Sequence, residues 1–338
     1  MLFVVDDSPS MAAHADALAE NLREIAEVYG WTSLDYRIAI TSTHVPGPEC
    51  APDRGDGALV SSSCLERLGD FVVDANDESD ALDLRGVCEA HCDMPRLGAA
   101  WLERAPGTPD ALACLGQLGV SGCTTESSIA AALRALDRAQ DPDDPAYGFL
   151  RRDAGLSIVF IGDEDDDSHA VDPDDFLARL DAIERDKQLL AGVDAQRVFV
   201  SAVVGDPAPR IRELVSRYDP FVADIVPIEA DSWIPALACL PGEDSLPPLC
   251  FDRGPLGYEG SSASTAACIV TETQDGETRR LPPCLPDEEL PEDADACVVI
   301  DDWGSAYCIE YDEGEVRILR RDPRPTPRCI EMTCATEY

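Results

Sequence analysis

An α/β fold built on a doubly wound, mostly parallel sheet is what the first 240 residues predict, and three observations carry that prediction. Apolar runs that read as buried strands, LFVV from residue 2 and LSIVFI from residue 156, each stop at an oxygen-rich turn and give way to a helical pattern. Strand-like and helix-like segments then alternate to about residue 240. From Pro241 the alternation ends and Pro-rich segments separate short β-like runs, so 241–338 is expected to form a second unit, a small disulfide-rich β domain.

The opening strand runs into Asp6, Asp7, Ser8, Pro9 and Ser10. Beyond it, Leu18, Leu22, Ile25 and Val28 share one face of a helix over 12–29, which Gly30 ends. The alternating, β-branched DYRIAITST predicts a strand over 35–43. From 44 to about 110 the pattern dissolves into Pro, Gly and Ser with Cys50, Cys64, Cys88 and Cys92, broken only by pieces such as GALV and DFVV. Loops of that length are functional or stapled, so this reads as a Cys-rich insertion held by disulfides. A short helix bearing Cys114, a Gly-punctuated turn and a helix over 126–138 follow. The remaining pattern predicts a strand over 156–161, a helix over 173–190, a strand over 197–204, a helix over 209–218, a short strand over 224–228 and a closing helix over 232–240. In the second unit CIVTET, CVVID, YCIEY and EVRILRR are the strand-like runs.

At 338 residues and 45% hydrophobic content the chain suffices for two domains with a real core. Its 67 Asp and Glu against 26 Lys and Arg leave a net charge of −41. Residues 241–338 hold 22 acidic and 8 basic side chains, a share of −14 that leaves −27 for the first 240. Acidity spread over both parts argues against nucleic acid and anionic membranes as partners. It reads as a solvated surface suited to salty surroundings, with multiple divalent-cation sites as the sharper alternative.

The 14 cysteines are scattered through loop-like sequence rather than gathered in CxxC pairs, which predicts disulfides over zinc. In CEAHC, Cys88, His91 and Cys92 have the closest ligand-like spacing, but no second pair matches it. Cys114 and Cys123 flank the Gly-punctuated turn and are expected to bridge it. Seven cysteines lie beyond residue 240, so Cys239 is expected to pair across the boundary, with Cys268. Oxidised cysteines imply export to an extracellular, cell-surface or periplasmic location. The chain starts almost inside its first strand, and the native start is expected upstream. No run of 18 apolar residues occurs, so no transmembrane segment is expected.

Two families share features of the opening turn. VVDDSP resembles the end of the first strand of response-regulator receivers, whose chemistry needs a lysine at the end of a later strand; the only lysine here, Lys187, lies in the helical pattern DAIERDKQLL. Asp6, Ser8 and Ser10 fit Asp-x-Ser-x-Ser, and on these residues the chain resembles the von Willebrand factor type A family with its metal-ion-dependent adhesion site. A tight turn aims alternate side chains inward, so a carboxylate and two hydroxyls converge on a hard cation that prefers oxygen. The resemblance implies a Thr from a second loop and an Asp after a further strand. In the G-x-T-T stretch from Gly122, Thr124 fits best, Thr125 and Glu126 are near enough to substitute, and the Asn that usually follows the Thr is absent. As plain local structure the same residues read as an N-cap with Glu as capping partner. Asp163 follows strand 156–161 after one glycine, where the family places its last metal-site Asp, and Glu164 replaces the common Gly. The run from Asp163 to Asp167 also reads as a solvated acidic turn, although five acids without a base repel one another and a cation relieves that repulsion.

The resemblance covers residues 1–240 and implies a Rossmann-like sheet. Its divalent cation, Mg²⁺ first and Mn²⁺ or Ca²⁺ otherwise, would be held by Asp6, Ser8, Ser10, Thr124 and Asp163, with Glu126 and Asp165 as further candidates. The implied function is metal-ion-dependent adhesion in an exported, bacterial-type surface or lipoprotein-like protein, the partner being a protein or other macromolecule that offers a carboxylate. The four histidines, His14, His44, His91 and His169, form no plausible base and nucleophile pair, and no GxSxG, HExxH or P-loop occurs. A metal-dependent hydrolase on the same acidic residues and a scaffold with a vestigial site are the alternatives. The hydrolase needs a mostly carboxylate ligand set, whereas an adhesion site keeps hydroxyl ligands so that the cation stays electrophilic.

Overall fold

The computed structural model describes residues 1–31, 35–47, 50, 55–73, 82–94, 100–168, 171–191, 198–218, 225–233, 236, 249–252, 268–274, 277–284, 290–291, 294–301, 313–320 and 329–334. The chain divides into two compact units, Met1–Ala238 and Cys239–Tyr338.

In the first unit, β1 (Leu2–Val5) is fully buried, as its unbroken apolar run requires of a strand covered on both faces. A 3-10 turn, Pro9–His14, then intervenes before α1 (Ala15–Trp31), so the helix expected from residue 12 begins later. Pro9 suits the first position of such a turn because its missing N–H needs no partner. Next come β2 (Arg37–Ser42) and the insertion, which holds the short pair β3 (Val72–Val73) and β4 (Leu82–Asp83), helix α2 (Arg85–His91) and strand β5 (Leu102–Glu103). Helices α3 (Thr108–Gly116) and α4 (Ser128–Arg138) lead to β6 (Leu156–Gly162), α5 (Pro173–Ala191), β7 (Val198–Val204), α6 (Pro209–Tyr218) and β8 (Ile225–Pro227).

The six strands form one sheet in the order β5-β2-β1-β6-β7-β8. All neighbours pair in parallel except β5, an antiparallel edge strand. The insertion thus contributes to the sheet as well as looping from it. Leu2, Val4, Ile158, Phe160, Val198 and Val200 share a core with the Ala-rich face of α4 and with α5 and α6. On the other side α3 packs so closely on α1 that a Cβ at Gly116 would lie 2.0 Å from Leu22 Cδ1. From β1 the order runs through β2 in one direction and through β6, β7 and β8 in the other, so the switch point lies between β1 and β6. In open α/β sheets the crevice beyond the carboxyl ends of the strands at that point is where ligands bind.

Lys187 is buried on α5, where its Nζ donates to the carbonyls of Arg151 at 2.5 Å and Ala154 at 2.6 Å. Those carbonyls precede β6, at the opposite end of the strand from Asp163, so the lysine ties a helix to the sheet and plays no receiver role. The backbone of buried Trp233 donates to Asn21 Oδ1 on α1 at 2.7 Å. Apart from Ser232, Trp233 and Ala236, the closing helix expected over 232–240 lies outside the described residues.

Among its described residues the second unit holds two three-stranded antiparallel sheets. They use β9 (Leu249–Asp252), β10 (Cys268–Gln274), β11 (Glu277–Arg280), β12 (Ala296–Asp301), β13 (Glu313–Arg320) and β14 (Cys329–Cys334), in the orders β11-β10-β14 and β12-β13-β9. Cys284 bridges to Cys297 on β12. The YCIEY run and Cys239, with its expected partner Cys268, cannot be compared because YCIEY and Cys239 lie outside the described residues. Among the described residues no helix is long and apolar enough to cross a membrane.

Disulfides staple the insertion, but one expected pairing is wrong: Cys114 joins Cys92, and Cys123 joins Cys50. The reason lies in what each face packs against. Cys114 on α3 turns into a small core with Cys64, Phe71, Cys88 and Cys92, while Cys123 leaves the helix with the turn and meets the loop after β2. Cys64 pairs with Cys88, so both cysteines of CEAHC are oxidised and the zinc alternative falls. No described cysteine is free, as expected of a chain matured in an oxidising compartment. Non-reducing peptide mapping should recover Cys50–Cys123, Cys64–Cys88 and Cys92–Cys114. Replacing Cys92 and Cys114 together by Ser should lower stability by about 3 kcal/mol in a denaturant melt, the chain-entropy value for a loop of this length.

Candidate metal centre

Asp6 and Asp163 leave the carboxyl ends of β1 and β6, the two strands that flank the switch point. The Asp-x-Ser-x-Ser turn closes on itself: the Ser8 backbone N–H donates to Asp6 Oδ1 at 2.7 Å. Ser10 Oγ donates to Asp163 Oδ1 at 2.9 Å, and Ser8 and Ser10 hydroxyls lie 2.7 Å apart. Since the Ser10 proton goes to Asp163, Ser8 is the donor between the two. Asp6, Ser8, Ser10 and Asp163 are therefore one linked group.

Asp6 is 2% exposed, and its Oδ2 has no hydrogen-bond partner among the described residues. A buried, unpaired carboxylate oxygen is costly unless a proton or a cation meets it. Burial, with the charges of Asp163 and Asp7 adding to it, pushes the Asp6 carboxyl up to about 7 against the hydrogen bonds from Ser8. Backbone approaches close the site. A Cβ at Gly162 would come within 3.1 Å of Asp6 Cβ, and Gly122 donates its N–H to the Asp7 carbonyl at 2.8 Å.

The second loop departs from expectation. Thr124 is exposed, and among the described residues it makes no hydrogen bond to the rest of the group. Glu126 is the residue that turns inward. It is 2% exposed, its Oε2 accepts from Thr43 Oγ1 at 2.7 Å, and its Oε1 has no partner among the described residues. Burial and the neighbouring Asp6 charge push its carboxyl up to about 9. Its carbonyl accepts from the backbone of Asp167 at 3.1 Å and Ser168 at 3.0 Å, which fastens the loop before α4 to the loop after β6.

The acidic run is divided among different tasks. Asp165, a ligand candidate by sequence, accepts from the backbone N–H groups of Arg210 at 2.9 Å and Ile211 at 3.0 Å, so both its oxygens serve the N-terminus of α6. That engagement removes it from the centre. Asp166 likewise accepts from Ile129 N–H at 2.8 Å in the first turn of α4 and from Ser168 Oγ at 3.1 Å. Helix N-termini have unpaired donors and positive potential, which draws carboxylates to them. Sequence alone missed Asp166 and Thr43, because neither belongs to a motif and each acts on a segment distant in the chain. His169 lies outside the described residues.

The oxygen set suits a hard divalent cation. Asp6, Ser8, Ser10 and Asp163 would hold it, and the cation would supply a Lewis-acidic point for an anionic group. Among the described residues no three or more Asp, Glu, His or Cys side chains are gathered closely enough to hold a metal by themselves. Carboxyl and hydroxyl oxygens must therefore act together.

No family model matches the chain, and no curated protein matches it. A solved structure titled von Willebrand factor type A from Catenulispora acidiphila superposes with a TM-score of 0.33 at 10% sequence identity, over 99% of this chain and 66% of that one, so the chain spans just under two thirds of that structure's length. At that TM-score the likeness carries no argument about function.

Proposed function

We propose that the first unit is a metal-ion-dependent binding module of the von Willebrand factor type A kind, acting outside the cytoplasm on a protein or other macromolecule that presents a carboxylate. The observation that carries this reading is the linked Asp6, Ser8, Ser10 and Asp163 group at the sheet's switch point, with a buried Asp6 oxygen left for a cation. The cation is Mg²⁺ by preference, with Mn²⁺ or Ca²⁺ as substitutes. A partner's Asp or Glu then completes the contact, despite the net charge of −41. The disulfides support an exported protein.

Calorimetric titration with Mg²⁺ and Mn²⁺ tests the reading. Wild type should give saturable heats and Asp6→Asn none, while the variant keeps its far-ultraviolet circular dichroism. Equal heats from both proteins would remove the proposal.

A further inference from the structure

We infer that Glu126, and not Thr124, is the second-loop residue of the cation centre, and that Thr43 at the end of β2 is the residue that positions it. The inference rests on the cation-binding reading above and goes beyond it by assigning an acid where the resemblance implies a hydroxyl.

Asp6 Oδ2 and Glu126 Oε1 are both buried without a hydrogen-bond partner among the described residues. They belong to neighbouring carboxyl groups carried on segments 120 positions apart in the chain. Removing two acids from water beside each other is unfavourable unless something positive, a proton or a cation, joins them. Glu126 is also fixed rather than swinging free. Thr43 Oγ1 holds its other oxygen at 2.7 Å, and its carbonyl is fastened to Asp167 and Ser168. Thr43 is itself buried, and its N–H donates to the Val5 carbonyl at 3.0 Å, one residue before Asp6. Strand β2 thereby sets the Glu126 carboxyl against the end of β1. Thr124, by contrast, faces solvent, two residues from a side chain that faces the centre.

The test is calorimetric titration of the full chain with Mg²⁺, Mn²⁺ and Ca²⁺, comparing wild type with Glu126→Gln, Thr124→Ala, Thr43→Val and Thr43→Ser. Glu126→Gln keeps the shape and removes the charge, and should weaken binding at least tenfold. Thr124→Ala should bind within twofold of wild type. Thr43→Val should weaken binding, and Thr43→Ser, which restores the hydroxyl, should recover it; a purely packing role for Thr43 would not give that recovery. If Glu126→Gln fails to fold, the Thr43 pair and Thr124→Ala decide the matter. Loss of binding in Thr124→Ala with retention in Glu126→Gln would overturn the inference and leave the centre standing. No heat from wild type with any of the three cations would overturn both.

Discussion

Stripped of divalent cations with a chelator, the protein is expected to lose stability as the pH rises from 5 to 9, and millimolar Mg²⁺ is expected to restore it at the alkaline end. The sign follows from linkage. Burial raises Asp6 from 3.8 to about 7 and Glu126 from 4.5 to about 9. Between the unfolded and folded values the native state holds protons that the unfolded chain has released, so unfolding becomes more favourable with each step in pH. Stability is fully present below about pH 4 in these two groups and falls through the range up to 9. Asp166 and Glu164, also raised by burial, act in the same direction. The exposed Asp83, lowered to about 2 by Arg85, acts in the opposite direction but only below pH 4. A progressive fall in Tm across that range is the expected result. A cation takes the place of the protons, so it should raise Tm more at pH 9 than at pH 5. Thermal melts across pH with and without Mg²⁺ measure this. Glu126→Gln should flatten the chelated profile above pH 7, and an unchanged profile in that variant would show that the buried pair is not its source.

Most of the first unit was legible because its strands are continuous apolar runs and its helices have regular stripes. The positions of β1, β2, β6 and β7, and the whole of α6, were readable from periodicity. Their order in the sheet is not encoded in the periodicity and is set by tertiary packing. What periodicity does not encode is how a long insertion folds. Strand β5 is two residues long and gains its identity only by pairing Arg37 with Glu103 and Ile38 with Leu102. Disulfides in the insertion are legible from its scattered cysteines, but one pairing is not, for a related reason: spacing along the chain brings Cys114 and Cys123 together, whereas packing pairs them with Cys92 and Cys50.

The centre divides in the same way. Asp6, Ser8 and Ser10 lie within five residues, so their convergence is a local property of one turn, and Asp163 is marked by its place after a buried strand. For the second loop and the acidic run, a linear motif cannot say which of several adjacent polar residues turns inward: Thr124 is exposed and Glu126 buried, and Asp165 accepts from backbone N–H groups of α6. That choice is made by tertiary partners, Thr43 for Glu126 and the first turn of α6 for Asp165. A run of acids therefore has no single meaning. One member, Asp163, accepts from Ser10, two accept from backbone N–H groups in the first turns of α4 and α6, and those donors, with Arg210 beside Asp166, relieve part of the like-charge repulsion.

Gly122→Ala is expected to cost both stability and cation binding, although the alanine itself would be no ligand and would remove none. A Cβ at this position would lie 2.3 Å from Asp7 Oδ1 and 2.5 Å from the Asp7 carbonyl oxygen, closer than real Cβ atoms approach other heavy atoms. The second of these is backbone, so the clash is not relieved by a rotamer change. Either the turn after β1 or the loop before α4 must move, at a cost of about 1–3 kcal/mol. Because Cys123 is pinned to Cys50 and Glu126 to Thr43, the loop cannot shift freely, and relieving the clash breaks the 2.8 Å hydrogen bond from Gly122 to Asp7 and strains the hold of Thr43 on Glu126. A Tm lower by roughly 2–10 °C and a Mg²⁺ affinity reduced more than tenfold are the expected results. Gly69→Ala is the matched control, because a Cβ there meets nothing within 4 Å, and it should leave both quantities unchanged. If Gly122→Ala melted and bound Mg²⁺ as wild type does, the contact between the two loops would not be what holds the centre in shape.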